Sequence, residues 1–213
     1  MPPLPATELR RNVATWAVPL DRLPATAAVL LDALPVEPFD PAFRGQRLDT
    51  TYFDTPGFAL RKARERRNRY LTLRLRRYRS VGAAPAYAVS AKTEDVKLRR
   101  ETDAATAARW LNGVTPDDAA RLLPPDLFAR LLDLAGDEPL LPVTCVRACR
   151  YALEDDEDRL TLDVDVATDA GKRLPFAVLE FKSRRADADI PDALAQLGLR
   201  PLKISKSLWA TEV

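Results

Sequence analysis

Thr72, Arg74 and Arg76 alternate with Leu71, Leu73 and Leu75, and this period of two sets three polar side chains on one face of an extended strand. The same spacing recurs in Val96-Lys97-Leu98-Arg99 and in Arg159-Leu160-Thr161-Leu162-Asp163-Val164-Asp165. It recurs again in Ala177-Val178-Leu179-Glu180-Phe181-Lys182. Arginine presents a planar fork that matches phosphate oxygens, so rows of it on strands are suited to gripping a polyanion. Residues 61 to 79 hold ten basic side chains and one acid, Glu65, a density that repels itself without an anionic partner. In an ordinary sandwich the polar face of a strand is simply the wet one. Here those faces are dominated by Arg and Lys, and a sheet that closes would make them an interior demanding counter-anions.

The chain of 213 residues contains no histidine, which excludes Ser-His-Asp and Cys-His nucleophilic catalysis and every histidine metal site. Its two cysteines, Cys145 and Cys149, supply neither a four-ligand zinc site nor a disulfide framework, and they fit a reducing compartment. The net charge of +2 conceals 33 basic and 31 acidic residues that are unevenly placed. Segregation of this kind points to a local anionic ligand. Met1-Pro2-Pro3-Leu4-Pro5 lacks the features of a signal peptide, and no apolar run approaches membrane-spanning length, so a cytoplasmic location is expected.

Apolar residues at helical spacing predict a helix over Leu20 to Leu34, two short helices over Asp117 to Leu134 broken at Pro124-Pro125, and another after Pro191. The acidic run Glu154 to Asp158 predicts a hairpin turn between two strands. No repeat or Gly/Ser linker divides residues 1–213, which predicts a single α+β domain: an antiparallel sheet or barrel with packed helices.

Thr51-Tyr52-Phe53-Asp54-Thr55-Pro56 resembles the YFDTP signature of triphosphate tunnel proteins, the superfamily of adenylate cyclase and thiamine triphosphatase (CYTH) domains and vacuolar transporter chaperone (VTC) polyphosphate polymerase domains. The remainder is more similar to VTC. Leu73 to Tyr78 resembles R-x-R-x-Y, Tyr87 to Lys92 the aromatic-x-x-E-x-K strand, and Val96 to Arg99 the following V-K-x-R. Arg159 to Asp163 resembles R-x-T-x-D, Leu179 to Lys182 L-E-x-K, and Lys203 to Lys206 the closing K-x-S-K. The family's opening E-x-K is represented by Glu8-Leu9-Arg10. Ser90 stands where the pattern has a glutamate, and Cys145 where it has a tyrosine ahead of Arg147.

This resemblance implies a closed eight-stranded antiparallel tunnel with flanking helices. Arg74, Arg76, Lys97, Arg159 and Glu180 would form its catalytic centre. Arg10, Lys92, Arg147, Lys203, Ser205 and Lys206 would be further contacts to ATP, tripolyphosphate or inorganic polyphosphate. Glu180 would hold Mn2+ or Mg2+, and a membrane-protein partner would not be visible in sequence. Three activities compete: transfer of the γ-phosphate of ATP to polyphosphate, metal-dependent triphosphate hydrolysis, and phosphate binding without turnover. Nucleic acid is disfavoured, because base-stacking aromatics are not interleaved with the Arg-rich strands. Trp16, Trp110 and Trp209 are expected in packing, Asp163 beside a tunnel arginine, and Arg64, Arg66, Arg67 and Arg69 in a solvated loop.

Overall fold

A computed structural model describes residues 12–33, 45–66, 69–154, 157–183 and 190–211. The strands are β1 (Asn12–Pro19), β2 (Gln46–Asp54), β3 (Thr72–Arg79), β4 (Ala86–Lys92), β5 (Lys97–Thr102), β6 (Leu141–Glu154), β7 (Asp158–Thr168) and β8 (Phe176–Ser183), and the four alternating segments fall in β3, β5, β7 and β8. The helices are α1 (Leu23–Ala33), entered through a 3-10 turn at Leu20–Arg22, then α2 (Ala59–Glu65), α3 (Ala104–Leu111), α4 (Pro116–Ala120), α5 (Pro125–Ala135), α6 (Ile190–Gln196) and α7 (Lys206–Thr211). The strands form one antiparallel sheet in the order β1-β8-β7-β6-β2-β3-β4-β5.

Strand parity sorts the side chains as the alternation predicts. Leu71, Leu73, Leu75, Val89 and Leu98 are buried on the outer face against α3, α4 and α5, where Phe53 meets Trp110 edge-on with ring centroids 5.6 Å apart. Leu160, Leu179 and Phe181 are buried with Trp16, Leu30 and Leu194 against α1 and α6. Burial of these two outer-face layers leaves the Arg and Lys rows facing the other way, towards a space that residues from all eight strands line.

The sheet curls until its edges approach each other, since Thr15 of β1 and Lys97, Arg99 and Glu101 of β5 line one cavity. The expected closure differs in one respect: among the described residues β1 and β5 share no hydrogen-bonded pairing, so curvature alone turns the polar faces inward.

Two further differences arise from local geometry. Asp165 does not share the face of Arg159, Thr161 and Asp163. It takes a left-handed conformation (φ 52°) at an irregularity in the β6–β7 pairing, which turns it to solvent and re-phases the strand beyond it. Residues 59–65 form α2, not loop. Asp54 starts that helix by accepting hydrogen bonds from the backbone N–H groups of Leu60 (2.9 Å) and Arg61 (2.8 Å). Arg64 is therefore held on a helix and its guanidinium donates to Thr72 Oγ1 at 2.6 Å, whereas Arg66 and Arg69 are exposed and Arg67 lies outside the described residues.

Among the described residues no helix is long and apolar enough to cross a membrane.

A basic lumen as candidate active site

The curled sheet encloses a cavity of about 740 Å³. Among the described residues its lining carries ten Lys and Arg side chains against two carboxylates, Glu101 and Glu180. β3 contributes Arg74 and Arg76, β4 Lys92, β5 Lys97 and Arg99, β7 Arg159, and β8 Glu180 and Lys182. Ser205 and Lys206 enter from the start of α7. Eight of the residues singled out from sequence are thus brought together: Arg74, Arg76, Lys92, Lys97, Arg159, Glu180, Ser205 and Lys206.

Three are not. Arg10 lies outside the described residues. Lys203 is exposed and is not part of the lining. Arg147 pairs across the strands with Asp49, on the outer face, and its place in the lumen is taken by Arg150, an odd number of residues further along β6. The sequence contained a signal for this: Arg150 is flanked at a period of two by the small residues Ala148 and Ala152, whereas Arg147 alternates with Cys145 and Cys149.

Arg150 also forms a two-pronged ion pair within the site. Its Nε and Nη2 donate to Asp163 Oδ1 (2.6 Å) and Oδ2 (2.7 Å), and Lys206 Nζ donates to the same carboxylate. Burial alone would raise the Asp163 carboxyl, but the adjoining Arg150 and Lys206 hold it well below the usual carboxylate range. Asp163 is the arginine partner that its position on β7 suggested.

Glu180 is held differently. It lies 2.8 Å from Lys182 Nζ, and although enclosure favours its neutral form, Lys182, Arg150 and Lys206 depress its carboxyl to about 2. Ser90, opposite Arg74 on β4, is buried and presents a hydroxyl where the family pattern has a carboxylate. Among the described residues no three acidic, histidine or cysteine side chains converge to cage a metal.

The rest of the lumen is a surplus of cations in a confined space. Burial, then Arg74 and Arg150, lowers Arg76 to about 10, while its Nε donates to Thr50 Oγ1 at 3.0 Å. Lys97 is open to the lumen but enclosed by its walls. That enclosure, with Lys182, Arg74 and Arg76 nearby, brings it down to about 7 against the weaker pull of Glu180. Its folded value lies below the ordinary 10.5, so the anion-free fold binds fewer protons than the unfolded chain between pH 7 and 10.5 and gains stability as pH rises through that window. A polyanion in the lumen would reverse the bias and recharge Lys97. We therefore expect tripolyphosphate binding near pH 8 to take up a proton, and affinity to fall by up to about tenfold per pH unit above 7. Calorimetry in buffers of different ionisation enthalpy reads the uptake directly. An identical uptake in Lys97→Arg, whose charge does not titrate there, would assign the proton elsewhere.

At one end the concave face turns apolar. Tyr52, Val146, Val166 and Val178 are buried there beneath Ile204 and Trp209, so α7 lies across the sheet inside its curve. Ser205 begins the helix, its hydroxyl 3.0 Å from Ser207 Oγ and 3.4 Å from Leu208 N. Lys172 Nζ reaches Trp209 O (2.9 Å), and Arg61 Nη1 donates to Thr211 O. The opposite rim, where Gln46 Nε2 donates to Ser80 Oγ at 3.2 Å, is polar.

No protein-family model matches the chain, and no curated protein matches it significantly in sequence. Solved structures do. A putative adenylate cyclase from Bacillus halodurans superposes with a TM-score of 0.62 at 14% identity, covering 92% of this chain and 93% of that one. The putative adenylyl cyclase HpAC1 from Hippeastrum, described as having a dominant triphosphatase activity, superposes with a TM-score of 0.59 at 16% identity, covering 95% of this chain and 97% of that one. The likeness is one of fold: this chain's eight antiparallel strands, curled around a lumen and flanked by helices, have the triphosphate tunnel fold.

Proposed function

We propose that the lumen binds the triphosphate end of an anionic substrate and hydrolyses it with the help of a divalent cation. The observation that carries this is the surplus of ten cations over two carboxylates in an enclosed space. Cations confined this closely repel one another, which favours a multiply charged anion among them. The fold shared with a protein of dominant triphosphatase activity supports the same choice of substrate.

Arg74, Arg76, Arg150 and Arg159 are arranged to fork onto phosphate oxygens, with Lys92 and Lys97 completing the wall opposite Lys182. Glu180 is the carboxylate best placed for Mg2+ or Mn2+. One acidic ligand with the remainder supplied by phosphate oxygens and water is a normal environment for such an ion. A cation held there would neutralise charge between adjacent phosphates. The protein's own contribution is positioning and charge: it aligns the chain, keeps bulk water out, and stabilises oxygens that gain charge as the terminal P–O bond breaks. Water then receives the phosphoryl group, and tripolyphosphate yields diphosphate and orthophosphate.

The second reading, transfer of the γ-phosphate of ATP to growing polyphosphate with release of ADP, is favoured by the VTC-like strand motifs, LRLRRY, VKLR and KISK. The apolar floor formed by α7 weighs against it. A product threading past Tyr52, Val146, Val178 and Trp209 would shed hydration and meet no charged partner. Phosphorus NMR of the protein with tripolyphosphate, and separately with ATP, each with Mg2+ or Mn2+, tests both. Orthophosphate appearing without internal-chain signals supports hydrolysis. A growing internal-chain resonance accompanied by ADP would replace it with polymer synthesis. Line broadening without turnover would reduce the protein to a binder.

A further inference from the structure

Arg147, displaced from the lumen, belongs to a second basic cluster on the outside of the sheet. Asp49 is its centre: it faces Arg147 on β6 and Arg77 on β3, while Arg47, two residues before it on β2, faces Arg79. Asp49 accepts from Arg77 Nε (2.8 Å) and Nη2 (2.6 Å) and from Arg79 Nη2 (3.2 Å). One carboxylate therefore serves two guanidiniums incompletely, and Arg79 Nε is buried without an acceptor. Arg47 and Arg147 are exposed, and neither has an acidic partner among the described residues. The outcome is four guanidiniums around one buried carboxylate. They stand on three adjacent strands: Arg47 and Arg79 face each other roughly 5 Å apart, Arg77 and Arg79 are roughly 7 Å apart along β3, and Arg147 lies beyond Asp49 on β6.

The cluster adjoins the polar rim of the lumen. Arg47 follows Gln46 and Arg79 precedes Ser80, and Gln46 and Ser80 are the hydrogen-bonded pair that forms that rim. A chain whose end lies in the lumen and whose remainder leaves by this mouth crosses one residue of wall to reach Arg47 and Arg79. We propose that this outer face is a second seat for inorganic polyphosphate, holding the phosphates beyond those inside the lumen. This rests on the lumen being a phosphate site. Of the aromatics beside the cluster, Tyr87 is engaged with Arg77 and Tyr151 with Cys149, so no free ring is offered for stacking bases, and a repeating phosphate chain is the matching ligand.

The consequence is affinity that depends on chain length, because occupancy of the lumen raises the effective concentration of the chain at the outer seat. The test uses Arg47→Ser/Arg147→Ser, which removes two exposed side chains and no ion pair. Calorimetry at low salt compares tripolyphosphate, long-chain polyphosphate and poly-glutamate on both proteins. The expected result is that the wild type prefers the long chain by about tenfold. The variant should lose that preference while binding tripolyphosphate as before. An undiminished preference in the variant overturns the seat. So does poly-glutamate binding as tightly with the same dependence on Arg47 and Arg147, which would make the face a site for acidic polypeptides. If tripolyphosphate fails to bind but the long chain still requires these arginines, the lumen assignment falls and the outer seat stands. Binding of neither removes both.

Discussion

Asp163→Asn is expected to destabilise the anion-free protein by about 3–5 kcal/mol, the usual cost of removing one partner from a buried ion pair. Asp163 is nearly inaccessible, with a side-chain exposure of 3%, and it is shared by Arg150 and Lys206. Its loss leaves two cations facing each other beside the other cations of the lumen. At this chain length that cost lowers Tm by about 10 °C or more. Tripolyphosphate should restore much of the loss, since its oxygens can take the place of the missing carboxylate, so the ligand-induced rise in Tm should be larger in the variant than in the wild type. The sign with pH follows from the direction of the shift. Asp163 is depressed, so its contribution is fully present above the ordinary carboxylate range and is lost progressively as pH falls below it. A fall in stability below about 1 kcal/mol in urea titration would mean that Arg150 and Lys206 find other partners, and the central role given to Asp163 would be wrong.

Glu180→Gln separates binding from chemistry. The substitution keeps size and hydrogen-bonding capacity but removes the negative charge that would help hold a divalent cation against phosphate. Metal-dependent phosphate release should fall by about a hundredfold or more, the scale seen when one electrostatic contact to a transition state is lost. Tripolyphosphate affinity measured without metal should stay the same or rise, because an anion in the lumen has been removed and Lys182 freed. Full turnover in this variant would place the cation elsewhere, and a parallel loss of metal-free binding would show that Glu180 acts only by ordering Lys182.

The strands and their polar faces were legible because a period of two is a local property: Thr72, Arg74, Arg76, Arg159, Thr161 and Glu180 needed only their neighbours to be assigned a side. What escaped was set by contacts distant in sequence. Arg64 is expected from sequence in a solvated loop with Arg66, Arg67 and Arg69, yet residues 59–65 carry good helix formers and the decisive event is capping by Asp54. Residues 206–211 are too few to show a helical period, and α7 exists because Trp209 finds an apolar floor contributed by several strands. The exchange of Arg147 for Arg150 is a question of parity on a 14-residue strand, settled by pairing with Asp49 on one side and Asp163 on the other. The turn-out of Asp165 depends on a single left-handed residue that no alternation announces.

Among the described residues β1 and β5 are not laced to each other, and the outer edge of β1 is bridged instead by the segment before α7, where Leu202 N–H donates to Thr15 O at 2.6 Å and Pro201 pairs with Trp16. A barrel laced all round by main-chain hydrogen bonds has a fixed girth, and widening it breaks a ladder. Between β1 and β5, among the described residues, no strand-to-strand ladder has to break for the gap to widen, and Lys97, Arg99 and Glu101 stand on its β5 side. On the proposed reading, a phosphate chain would meet Lys97 and Arg99 on the β5 side of this gap, and the uncharged β1 facing them would leave their attraction for it unopposed.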